Sequence, residues 1–106
     1  MSRDAMLCLT ITKTLKEALY KKAENKRMKI GDIIDLILFE SVNTYQNRHV
    51  TFETSQRFLD DENKEIFNVR CEKVLKDKLK EFSKRDNGGD SSVTFQMIAS
   101  NFLAEK

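Results

Sequence analysis

The sequence predicts a mainly α-helical chain with two short β-strands, arranged as two strand–helix–helix repeats. Three observations predict it. Ile66-Phe67-Asn68-Val69-Arg70-Cys71-Glu72 alternates, with Phe67, Val69 and Cys71 on one side and Ile66, Asn68, Arg70 and Glu72 on the other, which is the period of a strand. Leu7-Cys8-Leu9-Thr10-Ile11-Thr12 alternates in the same way, with Leu7, Leu9 and Ile11 on one face. One constant step carries Leu7 onto Phe67, Leu9 onto Val69 and Ile11 onto Cys71, then Leu15 onto Leu75, Leu19 onto Leu79 and Ala23 onto Ser83. One domain over residues 1–106 is therefore expected, with repeat one at 6–43, a connector at 44–64 and repeat two at 65–106. Half-size repeats cannot each bury an apolar face alone, so the strands should pair and the halves should share a core.

In order along the chain, Met1 to Ala5 reads as a loose arm and Met6 to Thr12 as the first strand. A helix over Lys13–Arg27 follows from Leu15, Ala18, Leu19 and Ala23 at helical spacing. Thr14-Leu15-Lys16-Glu17 fits a capping box, and Thr12 serves equally well as the cap. Lys29-Ile30-Gly31 is a turn. Asp32–Asn43 is the second helix, with Ile30, Ile34, Ile37 and Leu38 on one side and Ile33, Leu36 and Phe39 on the others. Apolar residues all round predict a helix that is nearly surrounded. The connector is polar. Val50-Thr51-Phe52 suits a short extended piece, and Ser55–Asn63 a short helix whose Phe58 and Leu59 would help to cover the second helix. The second repeat reads as a strand at Glu65–Glu72, a helix at Lys73–Arg85, a turn at Asp86-Asn87-Gly88-Gly89-Asp90 that adds three residues relative to the first repeat, and a helix at Val93–Ala104. Ser91 or Ser92 is the expected cap of that last helix.

Composition narrows the function classes. The 106 residues hold 19 basic and 17 acidic side chains, a net charge of +2 that permits nucleic-acid binding without arguing for it. The net charge is +2 over residues 1–43, −1 over the connector and +1 over 65–106. Two cysteines are too few for a disulfide scaffold and do not stand at metal spacing. The run from Ile33 to Phe39 is broken by Asp35 and is far too short to span a membrane, and no secretory core opens the chain. A reducing, cytoplasmic setting is expected. His49 lies in the connector without partners at ligand spacing and reads as a surface residue rather than a metal ligand. Gly88-Gly89 lacks the pattern of a phosphate-cradling loop. Lys21, Lys22, Lys76 and Lys80 read as solvated helix faces. No nucleophile–base pair, cofactor loop or carboxylate cluster stands out, so neither an enzyme nor a cofactor is expected.

Leu7, Leu9, Ile11, Leu15, Leu19 and Ala23, continued by Ile30 and Ile34 through the turn, stand at the core spacing of a known DNA-binding family. In this the chain resembles the ribbon-helix-helix proteins of the Arc and MetJ type, over residues 6–43 and again over 65–104. Two units in one chain are similar to the TraY-type conjugation proteins, in which one polypeptide replaces a dimer. The resemblance implies a mainly α fold with a two-stranded antiparallel β-ribbon, a pseudo-two-fold tandem ribbon-helix-helix. It places Met6 opposite Arg70, Cys8 opposite Asn68 and Thr10 opposite Ile66 on the outer face, with Leu7, Leu9, Phe67 and Val69 flooring the core. Cys8 and Cys71 then lie on opposite faces and cannot form a disulfide.

The family lays its ribbon in the major groove of double-stranded DNA. The resemblance therefore implies base contacts from Met6, Cys8, Thr10, Asn68 and Arg70. Arg70 suits guanine O6 and N7, and Asn68 suits adenine N6 and N7. Phosphate contacts are implied at the start of each second helix, at Lys29, Ile30 and Gly31, and at Ser92, Val93 and Thr94, where free N–H groups and the helix dipole attract an anion. The expectation is a sequence-specific regulator, such as a repressor, or an accessory factor in DNA processing. Three outer-face residues, Met6, Cys8 and Ile66, are apolar where a DNA reader usually carries polar groups, and Asp32 would stand near a phosphate. These departures favour the competing expectation of a protein-interaction module, such as a phage or plasmid protein that binds a host factor. Self-association is a further expected partner class, from the all-round apolar second helix.

Overall fold

A computed structural model of the chain describes residues 5–50 and 62–105. Six elements follow one another: β1 (Ala5–Thr12), α1 (Lys13–Asn25), α2 (Ile30–Tyr45), β2 (Lys64–Cys71), α3 (Lys73–Asp86) and α4 (Ser91–Glu105). The fold is mainly helical with one two-stranded antiparallel sheet. The expected arm before Ala5, and the extended piece and short helix expected within the connector, fall wholly or mostly outside the described residues.

The strands pair in the register the resemblance implied: Met6 faces Arg70, Leu7 faces Val69, Cys8 faces Asn68, Leu9 faces Phe67 and Thr10 faces Ile66. Alternation restricts this register to even steps. A slip by one residue would expose Leu7, Leu9, Ile11, Phe67, Val69 and Cys71, all of which are buried. Cys8 is exposed and Cys71 buried, and no disulfide joins them.

Thr12 ends β1 and caps α1. Its backbone is extended, and its hydroxyl accepts the Leu15 N–H at 3.2 Å. The cap is thus Thr12, and the alternative box starting at Thr14 is not used. The helix closes in a Schellman turn. The Arg27 N–H reaches the Glu24 carbonyl at 3.0 Å and the Met28 N–H reaches the Ala23 carbonyl at 2.8 Å. Arg27 takes the left-handed conformation there, with φ of 55°, a place usually given to glycine. After α3 the same change of direction falls to Gly88 and Gly89, with φ of 62° and 92°. Residues 26–29 join α1 to α2 and residues 87–90 join α3 to α4, so the two connections are equal in length. The three-residue insertion expected in the second is absent, because α3 runs on to Asp86 and α4 begins at Ser91.

The last helix starts two residues earlier than expected, and neither Ser91 nor Ser92 caps it. The Asp90 carboxylate does, accepting the Val93 N–H at 3.1 Å. Likewise α2 begins at Ile30, with Lys29 as its cap residue and the Lys29 carbonyl accepting the N–H groups of Asp32 and Ile33.

Beneath the ribbon, the inward strand residues pack on Leu15, Leu19, Ile33, Ile34, Ile37 and Leu38, and on Phe95, Ile98 and Phe102 of α4. Phe67 lies at the centre, edge-on to Tyr20 and stacked on Phe95, each ring 6.2 Å away. Enclosure falls differently from the sequence expectation. It is α4 that is surrounded: every residue from Thr94 to Phe102 is buried. The other candidate, α2, leaves Phe39 61 % exposed. Apolar residues all round α2 showed that burial was possible on every side, but its outer flank stays open.

Beyond α2 the chain is fastened to the end of α3. The Arg85 guanidinium donates to the carbonyls of Tyr45 and Arg48 at 2.9 and 2.8 Å. The neighbouring Asp86 carboxylate accepts the Val50 N–H at 2.8 Å and bonds the His49 ring. The Arg85 guanidinium, helped by the Val50 N–H and His49, holds the Asp86 carboxyl well below the usual carboxylate range against the opposing effect of burial.

Candidate nucleic-acid interface

Period-two alternation puts every second strand residue on the outer surface, and antiparallel pairing sets the two rows side by side. Met6, Cys8 and Thr10 of β1 and Ile66, Asn68 and Arg70 of β2 are all exposed there. The structure therefore brings together the five residues assigned to base contacts. Within the face, chemistry divides by strand. Arg70 supplies a planar five-donor fork and Asn68 a donor–acceptor amide. On β1, Thr10 offers one hydroxyl beside the thiol of Cys8 and the thioether of Met6. Ile66 is 70 % exposed and Met6 41 %. A two-stranded ribbon of this kind fits a major groove, which is about 12 Å wide.

Lysines flank the ribbon on both sides. Lys16 of α1 reaches across to donate to the Ile66 carbonyl at 3.2 Å and lies 3.5 Å from the Glu65 carboxylate. Lys76 of α3 donates to the Met6 carbonyl at 2.8 Å. Lys13 and Lys73, both exposed, open their helices immediately beside the strands. The first turns of α1 and α3 carry no acidic residue. Cations at a helix N-terminus oppose the helix dipole, at a cost of a few tenths of a kcal/mol each. Sequence reasoning passed over this set and read Lys76 as a solvated face. A signal was present: the step that carries Leu7 onto Phe67 also carries Lys13 onto Lys73 and Lys16 onto Lys76.

The residues assigned to phosphate are placed less uniformly. Lys29 is exposed and Gly31 half-buried at the start of α2, with Asp32 next in the same turn. Ser92 is half-buried, and its hydroxyl accepts the Thr10 N–H at 3.0 Å. Thr94 is wholly buried. Its hydroxyl donates to the Asp90 carbonyl at 3.0 Å and accepts from the Asn87 amide at 2.8 Å, so it does not reach the surface. Gln96, which sequence reasoning missed, accepts the Thr12 N–H through Oε1 at 3.1 Å. Ser92 and Gln96 together satisfy outward N–H groups along the open edge of β1 and fasten α4 against it.

Among the described residues no group of three His, Cys, Asp or Glu side chains is placed to hold a metal, and no helix is long and apolar enough to cross a membrane. His49 is exposed and bonded to Asp86. Comparison with protein-family models, with curated proteins and with solved structures finds no match to the chain.

Proposed function

We propose that this chain binds double-stranded DNA sequence-specifically, laying its ribbon in the major groove, as a small transcriptional regulator or an accessory factor in DNA processing. In this proposal β1-α1-α2 and β2-α3-α4 form a pseudo-two-fold tandem ribbon-helix-helix, and one cytoplasmic, non-enzymatic chain does the work of a dimer. The observation that supports it most is the register, which sets Arg70, Asn68 and Thr10 on one exposed face between Lys16 and Lys76, both bonded to ribbon carbonyls. Arg70 and Asn68 read base edges. Lys13, Lys16, Lys73 and Lys76, with Lys29 at the start of α2, contact phosphates and position the ribbon without specifying sequence.

Selection of bound duplexes from a random DNA pool, with the wild type and Arg70→Ala in parallel, tests this. An enriched motif that degrades at one position in the variant is expected, with a loss of about 1–3 kcal/mol for that site. Lys29→Ala should weaken binding evenly across sequences. No enrichment by the wild type at low salt would end the DNA reading.

The exposed Ile66 and Met6 favour a second reading, in which the same face meets a protein. A protein-binding module would show no salt-dependent affinity for duplex DNA.

A further inference from the structure

The apolar residues on the outer face of the ribbon have an order. Read across the strands, the face is a short ladder of three pairs: Met6 with Arg70, Cys8 with Asn68 and Thr10 with Ile66. Each end joins one apolar side chain to one hydrogen-bonding side chain. Ile66 is the one member of this ladder not assigned to base contacts. It is also the most exposed large apolar residue among the described residues, at 70 %, and its backbone is held, since the Lys16 ammonium donates to its carbonyl at 3.2 Å. Across from it Thr10 is held too, its N–H donated to the Ser92 hydroxyl at 3.0 Å. Residues directly opposite on an antiparallel pair have Cβ atoms about 4.5–5.5 Å apart, so these two side chains reach one base edge together. Both are β-branched, with few χ1 rotamers to lose on binding. Glu65, next along β2, alternates to the other side of the strand, and its carboxylate is met by Lys16 at 3.5 Å.

We infer that Ile66 and Thr10 together read a thymine, Ile66 against its 5-methyl group and the Thr10 hydroxyl on its O4. The inference rests on the DNA reading above and names the base at the end of the site away from Arg70. In the major groove thymine alone among the four bases carries a methyl group, beside the O4 acceptor. An apolar side chain and a hydroxyl standing opposite each other match those two neighbouring groups. Against any other base Ile66 costs affinity. It would cover the amino group of adenine or cytosine, or the O6 and N7 acceptors of guanine, taking away their water and giving no hydrogen bond in return. Arg70 lies four residues along the same strand, about 13 Å away, and Asn68 stands between them. The expected target is therefore directional: guanine under Arg70 at one end, adenine under Asn68 within, and thymine under Ile66 at the other end. On this reading the apolarity of Ile66 serves base recognition, and no protein partner is needed to account for it.

The test starts from a duplex enriched by selection with the full chain, its affinity read by fluorescence anisotropy at low salt. The motif should place a thymine at the end opposite the guanine whose preference Arg70→Ala abolishes. Replacing that thymine with deoxyuridine deletes the methyl group and nothing else. It should weaken wild-type binding about fourfold, the worth of one buried group of that size. Ile66→Ala should lose a similar factor on the thymine duplex and bind the thymine and deoxyuridine duplexes alike. Thr10→Val keeps the shape and removes the hydroxyl; it should weaken binding about fivefold while keeping the methyl dependence. Ile66 and Thr10 are exposed, so both variants should keep the wild-type melting temperature. A motif without thymine at that end, wild-type affinity indifferent to the methyl group, or an unchanged methyl dependence in Ile66→Ala would overturn the inference and leave the DNA reading standing. No enriched duplex at all would remove both.

Discussion

The two ribbon strands are alike on their inner side and unlike on their outer side. Inward, Leu7, Leu9 and Ile11 of β1 meet Phe67, Val69 and Cys71 of β2, and all six are buried. Outward, β1 shows Met6, Cys8 and Thr10 while β2 shows Ile66, Asn68 and Arg70. The inner face must fill one shared core, so its chemistry is constrained on both strands. The outer face is free of that constraint. Under the proposed DNA reading, its lopsided hydrogen-bonding capacity predicts a target site without two-fold symmetry, in place of the palindrome a symmetric dimer would read.

The largest expected effect breaks the likeness of the inner faces. Phe67→Ala removes the ring between Tyr20 and Phe95 and should cost about 3–5 kcal/mol in urea denaturation. Ile66→Ala, one residue along and facing out, should cost under about 0.5 kcal/mol. Equal losses would mean that the outer face is covered in solution.

Next in size is the fastening beyond α2, which has no counterpart at the end of α4 among the described residues. The Asp86 side chain is 3 % exposed and receives Arg85, Val50 and His49. Asp86→Asn should cost about 1–3 kcal/mol, as expected when charged hydrogen bonds are lost. The pH dependence has a definite sign. The folded carboxyl sits below its ordinary value, so its stabilisation is present above the ordinary carboxylate range and is lost as pH falls below about 4. Melting temperature between pH 3 and 7 should fall more steeply on the acid side for the wild type than for Asp86→Asn.

A smaller effect sharpens the comparison of the outer flanks. Lys16 and Lys76 make matching bonds to opposite strands. If both contact phosphate, replacing both with alanine should flatten the slope of log affinity against log salt by about 2. Wild-type binding with an unchanged slope in the double variant would remove the lysines from the interface while leaving base reading intact. The smallest effect concerns the two turns. Arg27→Gly relieves a left-handed residue where the other turn already has Gly88, and should raise stability by about 0.5–1 kcal/mol in the same denaturation experiment.

Much of this was legible in the residues themselves. Strand alternation and the recurrence of Leu15 and Leu19 at Leu75 and Leu79 are local signals, set by side-chain direction. The helix start was visible too, although its cap stood open between Thr12 and Thr14 until the structure placed the Thr12 hydroxyl on the Leu15 N–H. Alternation limits the pairing to even steps, and the family resemblance supplied the particular register expected. Five candidate base-contacting residues therefore landed on one face as expected.

What the tertiary structure decided depends on neighbours far along the chain. Both second helices carry apolar residues on several sides, and only packing determined that α4 is enclosed while α2 keeps Phe39 in the open. A serine or threonine near a helix start reads as a cap or an anion contact. Ser92 instead turned to the Thr10 N–H and Thr94 to Asp90 and Asn87, because a strand edge and a buried turn stood closer than solvent. Periodicity states which side of an element is apolar. It does not state what will cover that side, because the covering surface comes from another part of the chain.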